Sequence, residues 1–103
     1  MSALYGLSHD TINKLKIIFE RNHSIEKVLL YGSRAKGNFR PGSDIDLTLV
    51  GSKLGISDLL KVENEIEEIL LPYKIDLSIL HLIENVDLVK HIERIGIDFY
   101  VNR

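Results

Sequence analysis

The sequence predicts an α+β fold, a small mixed β-sheet covered by helices, and three observations carry that expectation. Segments at 44–50, 74–80 and 97–101 alternate polar and apolar residues with period two, as half-buried strands do. Around them, apolar residues recur at the spacing of an amphipathic helix. At 103 residues, the chain has room for one core. In chain order, Ile12, Leu15, Ile18 and Phe19 mark a helix over 9–21, with Ser8 as its N-cap. Lys27–Tyr31 is a short apolar run suited to a buried strand. From Gly32 to Ser43, three glycines and a proline in twelve positions predict a loop with room for one helical turn. Asp44–Val50 is the first alternating strand, and Gly51 and Gly55 bracket a turn. Leu59, Val62, Ile66, Ile69 and Leu70 then share one face of a helix over 57–71. Lys74–Leu80 is the next strand, with Lys74, Asp76 and Ser78 on one face and Ile75, Leu77 and Ile79 on the other. Asn85 caps a last helix carrying Val89, Ile92 and Ile95, and Gly96 stands where a left-handed C-cap belongs. Ile97–Val101 closes the chain as a strand. No repeat or linker divides it, so residues 1–103 read as a single domain.

Composition narrows the function classes. Thirteen basic against 15 acidic side chains give a net charge of −2, which argues against strong binding of long nucleic acid. No apolar run reaches the roughly 18 residues of a membrane span. The opening stretch Met1–Gly6 has neither the basic end nor the apolar core of a signal peptide, so a cytoplasmic location is expected. There is no cysteine, and therefore no disulfide, thiolate nucleophile or Cys-type zinc site.

The chemistry lies in the strands. Asp is disfavoured in strands, yet Asp44 and Asp46 stand at i and i+2 of one, on the same face with Cα atoms roughly 6.5–7 Å apart. Carboxylates held side by side raise each other's pKa unless a cation lies between them. Mg²⁺ takes such oxygen ligands together with substrate phosphates. If the strands are neighbours, Asp76 completes a three-carboxylate cluster able to hold two metal ions. Singly, each aspartate reads as a solvated residue on an open sheet face; three together read as a site. Gly32-Ser33 directly follows the apolar strand, where a glycine lets a phosphate approach the backbone and a serine adds donors. Arg34, Lys36 and Arg40 add positive charge to the same loop, which suits a triphosphate.

Gly32-Ser33, ten residues, then Asp44-x-Asp46 is a composite signal, written GSRAKGNFRPGSDID in this chain. It resembles the signature of the DNA polymerase β-like nucleotidyltransferases, and the length is similar to that of the minimal members, which consist of the catalytic domain alone. The resemblance covers nearly the whole chain. It implies that Asp44, Asp46 and Asp76 are catalytic and hold two Mg²⁺, with Asp76 the candidate general base. It implies further that Gly32 and Ser33 hold the phosphates of a nucleoside triphosphate, ATP foremost, aided by Arg34, Lys36 and Arg40. Members of this group are typically paired with a small helical HEPN protein, and in some pairs the nucleotidyltransferase acts as antitoxin by transferring AMP to the toxin. A protein adenylyltransferase in a hetero-oligomer with a HEPN-type toxin is the expectation. Apolar residues Leu70, Leu71, Leu82, Val86 and Leu88 are candidate contacts for that partner. The alternative is a binding module of weak or no activity that neutralises a helical partner by contact.

Rival motifs fail. Gly32–Gly37 imitates the start of a P-loop, but Asn38-Phe39 replaces the required Lys-Ser/Thr, and no G-x-G-x-x-G is present. His9, His23, His81 and His91 lack ligand spacing, and His91 reads as a surface residue. Glu63, Glu65, Glu67 and Glu68 read as a solvated helix face. Tyr31 is most simply a core residue at a strand end.

Overall fold

The computed structural model describes residues 4–102. Met1, Ser2 and Ala3, part of the opening stretch read for a leader, lie outside the described residues. Helix α1 (His9–Arg21) begins at Ser8, whose hydroxyl accepts from the Thr11 N–H at 3.1 Å. It buries Ile12, Leu15, Ile18 and Phe19 along one side, at the spacing the sequence predicts. Strand β1 (Lys27–Tyr31) runs directly into a five-residue helix, α2 (Gly32–Lys36), which Gly37 ends in the left-handed conformation at φ 85°. Strand β2 (Ile45–Val50) follows, then helix α3 (Ile56–Glu68), strand β3 (Ile75–Ile79) and a 3₁₀ turn at Leu80–Leu82. Helix α4 (Val86–Ile95) is capped by the Asn85 side chain on the Leu88 N–H at 3.2 Å, and strand β4 (Ile97–Val101) comes last.

Among the described residues the strands form one four-stranded sheet in the order β3-β2-β1-β4. β1 pairs antiparallel with β2 and β4, whereas β2 and β3 run parallel and are joined across α3. The mixed sheet matches the expectation. Alternation gives it two different faces. Val28, Leu30, Ile45, Leu47, Leu49, Leu77 and Ile79 point to one side, where α1 and α3 supply Leu15, Ile18, Phe19, Val62 and Ile66 to form the core. The opposite face carries Tyr31, Asp46, Thr48, Asp76 and Ser78, with α4 packed on α2 and β1 at its margin.

Three boundaries differ from the sequence reading. Asp44 lies one residue outside β2, because β1 ends at Tyr31 opposite Asp46 and leaves nothing to pair with Asp44. Gly96 is extended at φ −60°, ψ 140°, so α4 does not close with a left-handed cap. Its small size matters for a different reason: a Cβ there would press on the Ile92 carbonyl oxygen. Helix α3 stops at Glu68, short of Leu71, because Leu70 turns left-handed at φ 51°. The Glu63–Glu68 face is also not wholly solvated, since Glu65 accepts from Asn22 Nδ2 at 3.0 Å and ties α3 to the end of α1.

Leu70 is 86% exposed, so its side chain contributes little burial while its backbone is strained. Leu70→Gly is therefore expected to stabilise the fold by about 0.5–1 kcal/mol, net of the extra freedom glycine gives the unfolded chain. A urea midpoint that rises with unchanged slope is the check; a midpoint that falls would mean the leucine side chain is holding α3 closed.

Candidate active site

The register of the sheet brings the carboxylates together. Asp46 pairs with Asp76 across the parallel β2–β3 ladder and with Tyr31 across the antiparallel β1–β2 ladder. All three side chains leave the same face, since directly paired residues point the same way. Asp44, two residues before Asp46, stands at the entrance to the strand. Burial raises the Asp46 carboxyl above its ordinary value; the charge of Asp76 and then that of Asp44 raise it further, against an opposing pull from Arg34. So both flanking carboxylates act on the charge of Asp46, and the strand ladder sets Asp76 beside it.

The loop after β1 completes this place. Gly32 has φ +74°, and a Cβ on it would collide with Asp46 Oδ2. The Gly-Ser turn thus lies directly against the second carboxylate. Ser33, half-exposed, follows Gly32 in the first turn of α2, and Lys36 and Arg40 are exposed farther along the chain.

Arg34 departs from the expectation of a phosphate-holding residue. It is 2% exposed, and its guanidinium faces inward. Nη1 donates to the Tyr5 carbonyl at 2.8 Å, and Nη2 to the Ser43 carbonyl at 2.9 Å and the Pro41 carbonyl at 3.3 Å. Nε also donates to Ser43 O at 3.3 Å, and the rings of Phe39 and Tyr73 lie 5.1 and 5.0 Å from the guanidinium carbon. Hydrogen bonds and aromatic faces together account for its burial. The loop's outward positive charge is left to Lys36 and Arg40.

Beneath the carboxylates lies a polar floor that the sequence reading missed. Thr48 is buried, and the Ser78 hydroxyl donates to its Oγ1 at 2.8 Å. Tyr31 is a core residue, as read, but its phenol also borders the site. Burial raises its pKa, a hydrogen bond with Ser78 lowers it, and the charges of Asp76 and Asp46 raise it. His91, read as a surface residue, is half-buried and stands edge-on to Tyr31, ring centroids 6.3 Å apart. One signal for this floor was available: Thr48 and Ser78 each follow a site aspartate by two positions, which in paired strands places them side by side.

Among the described residues, no three acidic, His or Cys side chains stand at ligating geometry as they are. The donor set nevertheless fits a divalent cation. It is made of like-charged carboxylate oxygens, and paired strands fix two of the three. A hard ion such as Mg²⁺ takes such ligands.

The family described as Polymerase beta, Nucleotidyltransferase matches residues 13–102. The chain belongs to that nucleotidyltransferase family. Among curated proteins, none matches. Solved structures extend the likeness of this nucleotidyltransferase domain at the level of fold. A chain in the crystal structure of a toxin–antitoxin pair with AMP-PNP superposes with a TM-score of 0.69 at 20% identity, covering 89% of this chain and 74% of that one. A chain of the MntA–HepT toxin–antitoxin structure gives 0.66 at 18% identity, over 92% and 74%. A chain of the tri-AMPylated Shewanella oneidensis HEPN toxin in complex with MNT antitoxin gives 0.65 at 18%, over 89% and 71%. No helix among the described residues is long and apolar enough to cross a membrane.

Proposed function

We propose that this nucleotidyltransferase transfers AMP from ATP to a hydroxyl of a partner protein, and that the partner is a HEPN-type toxin which it restrains as antitoxin. The observation that carries the reading is the juxtaposition of Gly32 with Asp46 and of Asp46 with Asp76, which puts the Gly-Ser turn against paired carboxylates. The toxin–antitoxin pairs named above, one with AMP-PNP and one with an AMPylated toxin, support the choice of nucleotide and partner.

Asp44 and Asp46 would hold two Mg²⁺ with Asp76. Bound there, such ions supply charge neutralisation at the α-phosphate and at the pyrophosphate leaving group. Asp76, exposed at the rim, takes the proton of the attacking hydroxyl. Gly32 and Ser33 receive the phosphates, and Lys36 and Arg40 steer the triphosphate with exposed positive charge. Catalysis of this kind is positioning and electrostatics, with no covalent enzyme intermediate. The whole chain works as one domain in a cytoplasmic hetero-oligomer. Leu82, at the end of the 3₁₀ turn, and Val86, at the start of α4, are exposed and offer the toxin an apolar contact.

Incubation with α-labelled ATP and Mg²⁺ in a lysate of the source organism tests the reading, with the Asp44→Asn/Asp46→Asn double variant alongside. A discrete labelled protein present only with the wild type is expected. If no band forms with any of the four nucleoside triphosphates, the transferase reading falls, and the chain is a module that neutralises by contact.

A further inference from the structure

We propose that Arg34 is a positioning residue, which grips the turn before Asp44 and so sets where that carboxylate meets Asp46 and Asp76. The proposal rests on the nucleotidyltransferase reading, within which it assigns a role to a side chain that faces away from the loop's outer surface.

The turn over 40–43 closes on itself twice: the Ser43 N–H donates to the Arg40 carbonyl at 2.9 Å, and the Arg40 N–H to Ser43 Oγ at 2.9 Å. These bonds shape the turn but do not fix it to the rest of the fold. Asp44 lies beyond the end of β2, without a strand partner. On one side it is held by Ile45, whose N–H donates to the Lys74 carbonyl at 2.9 Å; on the other, its position depends on what holds residue 43. Arg34 does this with two donors on the Ser43 carbonyl and a third contact on Pro41. The same guanidinium reaches back to the Tyr5 carbonyl, against which Gly6 at φ +72° leaves room that a Cβ would take from the Phe39 ring. Phe39 and Tyr73 cover its faces, so the fork has little room to swing. One side chain thereby joins α2, the loop leading to Asp44, the segment before α1 and the turn before β3. A fork with donors in one plane suits several carbonyls at once; an ammonium does not.

Supporting residues behind a metal ligand typically change metal affinity by about 10–100-fold when removed. The probe is Mn²⁺ with AMP-PNP, titrated calorimetrically into the full chain. Arg34→Met and Arg34→Lys are compared with Ile18→Val, a core variant on α1 remote from the site, with thermal midpoints recorded for all. Arg34→Lys keeps the positive charge near Asp46 but cannot span three carbonyls, so its loss reads the grip rather than the charge. Expected is affinity about tenfold weaker in both Arg34 variants while they remain folded, and unchanged in Ile18→Val at a comparable drop in midpoint. Arg34→Lys decides alone should Arg34→Met not fold. Wild-type affinity in a folded Arg34 variant overturns the proposal, as does an equal loss in Ile18→Val. A wild-type chain that binds no Mn²⁺ with AMP-PNP sinks the nucleotidyltransferase reading first, and the proposal with it.

Discussion

Asp46→Asn yields a chain that is harder to unfold and inactive in transfer. Asp46 is half-buried between two other carboxylates, and its pKa is raised by burial and by Asp76 and Asp44. At neutral pH its charge opposes folding, and asparagine removes the charge at nearly the same shape. After allowance for solvent screening at this partly exposed site, the gain is about 0.5–1 kcal/mol, or roughly 2–6 °C in melting midpoint for a domain of this size. The pH dependence has a definite sign. A raised folded-state pKa means the native chain holds the proton more tightly than the unfolded one, so stability from this group is full below the unfolded value and lost as pH rises through the folded value. The advantage of asparagine is thus greatest at neutral pH and shrinks towards acid. Added Mg²⁺ raises the wild-type midpoint and leaves that of Asp46→Asn nearly where it was. Label transfer falls by about 10³-fold or more, as for removal of a charge that acts at the reacting centre. A midpoint that drops in Asp46→Asn would show that the carboxylate is holding the fold together, and the like-charge picture of this site would have to go.

Gly32→Ala loses on both counts. Its left-handed backbone costs a residue with a Cβ about 1–2 kcal/mol, and the new methyl also meets the Asp46 carboxylate. Gly37→Ala supplies the comparison, because Gly37 has φ +85° yet nothing within 4 Å of a Cβ. Both variants share the strain; only Gly32→Ala displaces a site residue. The midpoint is expected to fall by about 5–10 °C in both, whereas label transfer falls about 10²-fold in Gly32→Ala alone. Equal transfer by the two variants would separate the Gly-Ser turn from the carboxylates and remove the observation on which the functional reading stands.

What the sequence made legible follows from the range of the interactions involved. Helix α1 and its Ser8 cap, the Asn85 cap of α4, and the facing of Asp76 opposite Ile75 and Leu77 are local matters of period and hydrogen-bond reach, and all could be read. The neighbourhood of β2 and β3 could only be posed as a condition, since pairing across 30 residues is not written in either strand. Arg34 shows the limit most clearly. An arginine in a glycine-rich loop reads as surface charge unless one knows that Tyr5, Pro41 and Ser43 turn their carbonyls towards it, and Phe39 and Tyr73 their rings. Leu70 misled for the opposite reason: its apolar side chain fitted the helical face, while its backbone had already left the helix.

The placement of β3 has a consequence for folding order. β3 is an edge strand held by hydrogen bonds on one side only, and its partner β2 is reached by closing a long loop through α3. Parallel, non-local pairing of this kind forms late and opens early. Until that zip closes, the chain can own a complete Gly-Ser turn and two of its aspartates and still have no site. The most repulsive rung, Asp46 against Asp76, lies near one end of a ladder whose apolar rungs are Ile45 on Ile75, Leu47 on Leu77 and Leu49 on Ile79. Greasy rungs draw the strand in, and the charged one is carried along. Activity in this fold depends on a strand at the sheet's edge, so it fades with the fraying of that edge rather than with the melting of the whole.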